Sequence, residues 1–587
     1  MDSFNIIEGK LKNILLKSNF YKDVNQIPVL DYSKDIKYVD YVSTIAFVLS
    51  PNNNPSFIEV ANNIKKILDA DQDLKNIISK IDVAGKGFVN FYLKDNIVRE
   101  ENVKDIDKID TKYTGKNILV EHSSPNLFKP FSVGHLMNNF IGEFIVRAIK
   151  VGGGNVEVMA FPSDVSLGVA KALFIIDKDI RENKKDLNYF RESEENEIIK
   201  YLGESYVRGV SECDENMENL NEAKKILDKM YNLKDDSFYD LVSITRSRNE
   251  NYFKRVLKEI GSDIKAFVYE REAGSYGWKI VKENIGKVFK ESEGAIVYVP
   301  SEDRKDINTS VFINSQGYPT YEAKDLGLID IKFSGKLSAV GINNFYPDLS
   351  LFVTDAEQIQ HFKVVFDAAS NLGVEWVDRI NKSKHIPHGR MSFKGAKMSS
   401  RLGGVPLALD VIDSVCEEVK ERAGEKIAHL SEDEKRKLEK EIALSALRVA
   451  VLRSKPGLNI NFDPETSLSF DGDSGPYLMY THARCASLLD KGKEFSPMFH
   501  NFEKSELEWK LHSFETLLKE SVEELAPQKL VTYLFSIAQL FNSFYGSTQI
   551  ITEDKERTEH NLAVVNCVKN KLKKGLFVLG INAPDRM

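Results

Sequence analysis

Cysteine is scarce in this chain, with four residues among 587. No two of them form a C-x-x-C pair, which argues against a locally spaced zinc site or a redox pair. We therefore expect no structural zinc and four free thiols in a reducing compartment, because disulfides persist mainly in oxidising ones. The four are Cys213, Cys416, Cys485 and Cys567.

Long apolar runs are also missing. None approaches the roughly 20 residues that a helix needs to cross a bilayer, and the N-terminus lacks a basic segment followed by an apolar one. Glycine and proline together make up less than a tenth of the residues, which excludes collagen and bulk disorder. These absences predict a globular, cytoplasmic protein without a membrane partner.

The chain also lacks an excess of positive charge. The chain has 80 basic and 88 acidic residues, a net charge of −8, whereas nucleic-acid-binding domains are usually basic. Net charge describes the whole surface and not any one face. Residues 1–110 and 441–587 each carry two more acidic than basic residues. A nucleic acid would therefore have to bind a localised positive face.

The length gives a soft prior of about four domains, and the patterns divide the chain into three. Residues 1–110 read as an α+β unit, with a helix over 57–68 and a strand over 83–93. Residues 431–587 read as all-helical, and Ser431 with Glu434 forms a capping box at the start.

Residues 111–430 read as an α/β domain with a Rossmann-like parallel sheet. A strand at 117–121, a helix at 134–149 and a strand at 155–160 form a βαβ unit. We expect further strand-like runs to complete this sheet, at 288–289, 295–299, 338–340 and 351–353. The charged stretch at about 178–265 reads as a solvated helical insertion.

The loop between the first sheet strand and its helix contains Lys129, Ser132, Gly134 and His135. Ligands of open parallel sheets bind at the carboxyl ends of the strands, and a helix N-terminus there suits phosphate. Gly134 would let a nucleotide approach the backbone, and His135 can donate a hydrogen bond to a phosphate oxygen.

A second candidate is the loop 395–404, which holds two cations and two hydroxyls between glycines. Such a loop can close over a triphosphate and neutralise the charge that develops on the leaving pyrophosphate. The alternative is an ordinary basic surface loop. The residues concerned are Lys397, Met398, Ser399, Ser400 and Arg401.

Together the two loops resemble the HIGH and KMSKS signatures of class I aminoacyl-tRNA synthetases. The segment from Glu121 to Leu136 is similar to the form that the HIGH signature takes in the arginyl-tRNA synthetase family. The segments 318–326, 358–361, 471–484 and 583–587 resemble further segments of that family, and 83–88 resembles its N-terminal domain. The resemblance spans nearly the whole chain, and the insertion is its least diagnostic part.

The resemblance implies an arginine–tRNA ligase that uses ATP with Mg²⁺, most simply a monomer with an N-terminal tRNA-binding domain and a C-terminal anticodon-binding domain. His135, Ser132, Lys129, Lys397 and Arg401 would be catalytic. Ser132, Gly134, His135 and the segment from Lys397 to Ser400 would bind ATP. Arginine would be bound by Asn126, Glu293, Tyr321, Asp325 and Gln358, and tRNA by Tyr545 and Met587. A carboxylate is the best partner for a guanidinium; without the resemblance, Tyr321 and Asp325 read as an ordinary helix start with a surface aspartate.

Three positions depart from the family pattern. Ser132 replaces the first histidine of HIGH, Ser400 replaces the second lysine of KMSKS, and segment 164–168 carries a serine and a glycine where a glycine and a polar ring or amide are expected. A non-catalytic or weakly active tRNA-binding paralogue therefore remains an alternative. A third is a nucleotidyltransferase that joins a small acid to ATP without tRNA, although it would have no use for the helical C-terminal region.

Overall fold

The structure, a computed structural model, describes residues 3–18, 27, 29–32, 39–52, 54–232, 237–394, 407–423 and 430–587. The first part of the chain folds around a four-stranded antiparallel sheet of order β1-β2-β4-β3. Its elements are α1 (Ser3–Lys17), β1 (Asp31–Tyr32), β2 (Tyr41–Ser43), α2 (Ile45–Leu49), α3 (Phe57–Asp69), α4 (Gln72–Ile77), β3 (Ile78–Ala84), β4 (Phe88–Leu93) and α5 (Asp95–Asn102).

The prediction of a helix near residue 57 is confirmed, and Ser56 caps α3 by accepting a hydrogen bond from the Glu59 backbone. The prediction of one strand over 83–93 is wrong, because β3 and β4 form a hairpin there. Gly85 and Gly87 take positive φ angles of 57° and 120°, which glycine adopts without strain. The two glycines reverse the chain where the sequence suggested only a break in one strand.

The described residues of the middle of the chain form both α-helices and strands. They are β5 (Asn117–Glu121), α6 (Val133–Val151), β6 (Asn155–Ala160), α7 (Leu167–Arg181), α8 (Leu187–Glu192), α9 (Glu195–Glu215), α10 (Met217–Tyr231), α11 (Ser237–Glu259), β7 (Ala266–Phe267), α12 (Glu270–Glu283), β8 (Phe289–Ser292), β9 (Ala295–Tyr298), β10 (Ser310–Ile313), α13 (Tyr321–Phe333), β11 (Leu349–Asp355), α14 (Ile359–Ser370), α15 (Val374–Asn381), β12 (Ser383–His388), β13 (Met391–Phe393) and α16 (Ala408–Ala423).

A five-stranded parallel sheet of order β12-β11-β5-β6-β7 forms the centre of this region. The predicted βαβ unit is confirmed as β5-α6-β6. Strand β5 lies in the middle and its residues are almost entirely buried, as expected for a parallel sheet covered on both faces. The order reverses at β5, since β6 lies on one side of it and β11 on the other. Such a reversal is where open α/β sheets bind ligands.

Of the four runs expected to complete this sheet, only 351–353 does so, as part of β11. The runs at 289–292 and 295–298 belong to a separate antiparallel sheet of order β10-β9-β8. Glu293 and Gly294 both have positive φ angles, and a two-residue turn of this kind joins antiparallel neighbours only. The run at 338–340 lies in a 3-10 helix, Lys336–Val340, between two glycines with positive φ angles.

The region 178–265 is helical as predicted, but the interpretation of it as a solvated insertion is wrong. Phe190, Ile198 and Leu202 are fully or almost fully buried in the same hydrophobic core as α6. Their helices α8 and α9 alternate charged and apolar residues, so the sequence shows the charge while the apolar stripe faces inward. The insertion is therefore part of the body that holds the parallel sheet.

Helices α12 and α13 cross at very short distance through two glycines. A Cβ atom built on Gly327 would lie 1.9 Å from the carbonyl oxygen of Ala273, and one on Gly277 would lie 1.7 Å from that of Ala323. Both blocking atoms belong to the backbone, so no side chain can move aside. The crossing holds α13 at the position from which its first turn reaches the edge of the sheet.

We expect Gly327→Ala to destabilise the protein by about 1–3 kcal/mol, the usual cost of overpacking, because α12 and α13 must separate. Urea unfolding measures the change. Gly9→Ala is the matched control, since Gly9 lies in α1 with nothing within 4 Å of a Cβ, and alanine is favoured over glycine in helices by about 0.5–1 kcal/mol. Equal midpoints for the two variants would contradict the crossing.

The last part of the chain is helical, apart from one short strand that pairs with β13. Its elements are α17 (Glu432–Leu452), β14 (Ile460–Phe462), α18 (Pro464–Ser467), α19 (Gly475–Lys491), α20 (Glu506–His512), α21 (Phe514–Glu524), α22 (Pro527–Ser547) and α23 (Lys555–Val578). The predicted capping box is present, with Ser431 and Glu434 bonded reciprocally. Within the described ranges, no helix is long and apolar enough to cross a membrane.

Helix α6 is joined to the C-terminal helices by a buried arginine. Arg448 of α17 is 2% exposed, lies 4.6 Å from the ring centre of Phe140 in α6 and donates to the carbonyl of Ile260. A Cβ on Gly580 would lie 2.3 Å from Nη1 of Arg448, so the segment after α23 fits over the guanidinium only with a glycine there. Arg147 of α6 adds a contact by lying over an aromatic ring of α23.

Candidate active site

The carboxyl edge of the parallel sheet brings several of the predicted site residues together. The loop after β5 leads into the N-terminus of α6, and β11 and β12 end next to it in register, with Asp355 opposite His388. The free backbone N–H groups of a helix N-terminus favour an anion at this place.

The loop after β5 is held by polar side chains of α6. The backbone N–H of Ser123, a residue with φ of 55°, donates to Oδ1 of Asn138 at 2.6 Å. Asn138 in turn donates to the carbonyl oxygen of Val353 in β11 at 2.5 Å. Asn139 donates to the hydroxyls of Ser123 and Ser262 at 3.1 and 2.6 Å. The loop conformation is thus determined by two neighbouring asparagines in the first turns of α6.

The position and the tautomer of His135 follow from the cap of α6. Ser132 is the N-cap residue, and its backbone N–H donates to Nδ1 of His135 at 3.0 Å. Nδ1 is therefore an acceptor, and the proton of the neutral ring resides on Nε2. Burial, with smaller effects of His388 and Lys129, lowers the pKa of His135 to about 4. Near neutral pH the side chain is an uncharged donor.

Gly134 and Lys129 border the same space. A Cβ on Gly134 would meet only the hydroxyl of Ser132, at 3.6 Å, so the protein leaves room above this glycine. The ammonium of Lys129 lies 4.9 Å from the ring centre of Tyr206. Tyr206 belongs to α9, and its hydroxyl would be 2.6 Å from a Cβ on Gly168. The helical insertion therefore forms one wall of the site.

The first turns of α13 place Tyr321 and Asp325 on one helix face, four residues apart. Tyr321 begins the helix and is 58% exposed. Asp325 accepts a hydrogen bond from Nε2 of His361 at 2.5 Å, and Glu322 lies 3.9 Å from the other ring nitrogen. The first turns of α13 thus carry two carboxylates beside His361 and an exposed phenol ring.

The sequence reasoning missed two further charged residues close to these side chains. Glu121 ends β5 and forms a buried ion pair of 2.6 Å with Lys332 of α13. Burial keeps the pKa of Glu121 above its usual value although Lys332 opposes this, and the nearby charge of Asp325 acts in the same direction as burial. An acidic residue at the end of an otherwise apolar strand was the signal that could have identified Glu121.

The other predicted arginine-binding residues lie at three different places. Asn126 is half-buried in the loop after β5, and Gln358 is exposed in the turn between β11 and α14, so both belong to the carboxyl edge. Glu293 lies in the exposed turn of the β8–β9 hairpin. No contact among the described residues joins Glu293 to Tyr321 or Asp325.

The predicted loop 395–404 lies outside the described residues, and with it Lys397, Met398, Ser399, Ser400 and Arg401. In the described residues, strands β12 and β13 precede this segment in the chain. No cluster of three or more metal-ligating side chains occurs in the part of the chain that the structure describes.

Tyr545 and Met587, far apart in sequence, line one groove of about 810 Å³ on the C-terminal helices. The groove also contains Arg484, whose guanidinium lies 4.9 Å from the ring centre of Tyr545. Lys569 and Arg586 add positive charge there, partly offset by Asp585, 2.9 Å from Lys569. A localised face with aromatic and basic side chains therefore exists on a region whose net charge is negative.

Comparisons with known proteins cover all three parts of the chain. The family model described as the class I (R) tRNA synthetase catalytic domain matches residues 98–463. The arginyl-tRNA synthetase N-terminal domain matches 5–93, and the DALR anticodon-binding domain matches 478–587.

Among curated relatives, an arginine–tRNA ligase of Borreliella afzelii is 27% identical, with 99% of this chain and 97% of the relative covered. Arginine–tRNA ligase 1 of Bacillus cereus is 28% identical, with 87% and 88% covered. Arginyl-tRNA synthetase of Thermus thermophilus has a similar fold, with a TM-score of 0.79 at 21% identity over 100% of both chains. That of Plasmodium falciparum has a TM-score of 0.74 at 19% identity, over 100% of this chain and 99% of the other.

The catalytic model covers more than half of the chain, with the arginyl-tRNA synthetase N-terminal model before it and the DALR anticodon-binding model at the C-terminal end. The chain therefore belongs to the arginyl-tRNA synthetase family of class I tRNA synthetases.

Proposed function

We propose that the protein is an arginine–tRNA ligase. The proposal rests on two observations: the N-terminus of α6 with its His135 donor at the carboxyl edge of the sheet, and the first turns of α13, where Tyr321 and Asp325 share one helix face. In the first step the arginine carboxylate attacks the α-phosphate of ATP, giving arginyl-adenylate and pyrophosphate. In the second step a terminal ribose hydroxyl of tRNA(Arg) attacks the adenylate and AMP leaves.

ATP would lie over Gly134, where no side chain fills the space. His135 would donate from Nε2 to a phosphate oxygen, and Ser132 would hold its ring in that orientation. Lys129 and, from the loop 395–404, Lys397 and Arg401 would neutralise the charge that grows on the phosphates. Mg²⁺ would enter with ATP, since it usually keeps phosphate oxygens and waters as ligands.

Arginine would lie with its guanidinium on Asp325, because a planar fork of N–H donors matches a carboxylate. The ring of Tyr321 would pack beside it, and Asn126 and Gln358 would bind the amino-acid end near the α-phosphate. Glu293 would be a more distant carboxylate. A site that hydrogen-bonds its substrate rejects analogues without these groups by about 10⁴ or more, which requires no editing domain.

We further propose three functional units: a tRNA-binding unit in 1–110, the catalytic unit in 111–430 and an anticodon-binding unit in 431–587. The groove around Tyr545 and Met587 would bind unpaired bases. A monomer in the cytoplasm would suffice, since one chain supplies all the proposed binding surfaces.

ATP–pyrophosphate exchange with each of the twenty amino acids, with and without tRNA(Arg), tests the proposal. We expect exchange with arginine and, as in the family generally, a dependence on bound tRNA. Exchange with another amino acid and none with arginine would exclude the proposal. Binding of tRNA(Arg) without any exchange would instead favour the non-catalytic paralogue, the alternative that Ser132 and Ser400 suggest.

The C-terminal groove makes a separate prediction. Tyr545→Ala should weaken binding of tRNA(Arg) by about 1–3 kcal/mol, the usual contribution of one base stacked on an aromatic ring. Filter binding with labelled tRNA measures the dissociation constant. Tyr346→Ala is the matched control, because the Tyr346 side chain is also exposed but lies at the amino edge of the sheet, where its backbone carbonyl accepts a hydrogen bond from Asn117. An equal effect of both variants would exclude the groove.

A further inference from the structure

The carboxylate proposed to receive the guanidinium already has a partner. Nε2 of His361, in the first turn of α14, lies 2.5 Å from Oδ2 of Asp325, and its Nδ1 lies 3.9 Å from Oε1 of Glu322. The three side chains are 17–22% exposed, so solvent and small molecules reach them. The imidazole therefore lies between two carboxylates and within reach of a ligand.

The histidines near this edge of the sheet differ in their protonation. Burial lowers the pKa of His135 and that of His385 to about 4 in each case, and it lowers the pKa of His388. Burial also acts to lower the pKa of His361, but the hydrogen bond and charge of Asp325, with the charge of Glu322, raise it above its usual value. Only the last of these four rings is thus arranged to hold a proton near neutral pH.

We infer that the His361 imidazolium pairs with Asp325 in place of the substrate guanidinium. When arginine binds Asp325, the imidazolium loses its proton. This inference rests on the proposed function, since it assumes that arginine binds Asp325. In the free protein the imidazolium neutralises Asp325, so this partly buried carboxylate is not left uncompensated. When a guanidinium arrives, two cations compete for one carboxylate. The ring then gives one proton to solvent and remains as a neutral hydrogen-bond partner.

The consequence is a coupling between arginine binding and pH. Below the pKa of His361 in the free protein, the proton must be removed before arginine binds, so affinity falls about tenfold for each unit of decreasing pH. Above this pKa the ring is already neutral, and affinity no longer depends on it. The affinity for arginine changes with pH only between two limits. The lower limit is the pKa of His361 in the arginine-bound protein, and the upper limit is its raised pKa in the free protein.

Other charged groups face His361 or lie close to Asp325. Glu322 and Asp325 face it from α13, and Glu121, which is paired with Lys332, interacts with the charge of Asp325. Burial raises the pKa of Glu121 above its usual value, so the pH range alone does not separate this carboxyl from His361. His385, from β12, is neutral above about pH 5 because its pKa is about 4. A dependence on one proton between pH 5.5 and 8.5 is therefore assigned to His361 by its loss in a variant that lacks this ring.

Titration calorimetry of the full-length protein with L-arginine tests the inference, in two buffers of different ionisation enthalpy between pH 5.5 and 8.5. We expect close to one proton to be released per arginine at the lower end, and none at the upper end. His361→Gln should abolish both proton release and the pH dependence, while affinity at pH 8.5 stays within a few-fold. His361→Lys, a cation that cannot lose its charge in this range, should bind arginine weakly at every pH.

His500→Gln is the matched control, because His500 pairs with Glu559 at 2.9 Å in the C-terminal helices, far along the chain from the site. It should retain the full pH dependence. Arginine binding by the unaltered protein with a constant affinity and no proton release would overturn the inference and leave the proposed function intact. Absence of arginine binding at every pH would instead contradict the proposed function. The buffer comparison on the unaltered protein can overturn the inference even if a His361 variant fails to fold.

Discussion

Asp325→Asn should weaken arginine binding by about 2–5 kcal/mol, the range for removing one partner of a desolvated charge pair. This corresponds to a dissociation constant raised roughly 30-fold to several thousand-fold. The amide retains the shape of the side chain but accepts fewer hydrogen bonds and carries no charge. It also removes the negative charge 2.5 Å from His361, and with it the charge that attracts the guanidinium. Calorimetry with L-arginine measures the effect directly.

Glu322→Gln is the control for this variant, because Glu322 lies in the same first turn of α13 and faces the same imidazole from 3.9 Å. A carboxylate that does not contact the substrate should change the affinity only several-fold, through the local charge. Thermal unfolding of both variants separates a folding defect from a binding defect. If Asp325→Asn bound arginine as tightly as the unaltered protein, the guanidinium would have to lie elsewhere.

His135→Ala should lower the rate of arginine-dependent ATP–pyrophosphate exchange by about 10²–10³, the usual result of deleting one preorganised donor to a developing charge. The reason is the fixed tautomer: Nδ1 accepts from the backbone of Ser132 at 3.0 Å, so Nε2 presents its hydrogen outward. The affinity for arginine should stay unchanged, because His135 belongs to the nucleotide side of the site. Exchange kinetics at saturating arginine and tRNA measure the rate.

Ser132→Ala distinguishes the role of the His135 donor from that of the Ser132 hydroxyl beside it. The backbone N–H that orients His135 remains in this variant, and only the hydroxyl, 3.1 Å from Nδ1, is lost. We therefore expect a loss of exchange much smaller than for His135→Ala. A larger loss in Ser132→Ala would show that the hydroxyl itself acts on the substrate.

The elements that the sequence predicted correctly depend on local patterns. The unit β5-α6-β6 is recognisable because an apolar strand, a helical repeat and a second strand follow one another within about 45 residues. The run at 295–298 looks equally like a strand, yet its sheet was assigned wrongly. Strand pairing depends on the turn and on partners elsewhere in the chain, and the decisive detail was two consecutive residues with positive φ angles, Glu293 and Gly294.

The candidate site shows the same division. Residues of the loop before α6 are contiguous, so a motif identifies them together, and Tyr321 and Asp325 are linked by one helical turn. Glu121, Lys332 and His361 come from three separated elements, and only the folded chain shows that they surround one carboxylate. Neither could the sequence show that helices α12 and α13 require Gly277 and Gly327 for their close crossing.

The buried Arg448 makes α6 a rigid connection between the parallel-sheet region and the C-terminal helices. A helix of 19 residues is about 28 Å long. Its first residue follows the cap that orients His135, and its middle and last turns are held by Arg448 and by Phe577 of α23. A stiff rod transmits displacement from one end to the other with little loss. Substitutions near Gly580, far from the proposed nucleotide site, should therefore alter the alignment of the nucleotide. Among functional variants, the residues at the two ends of α6 should change together.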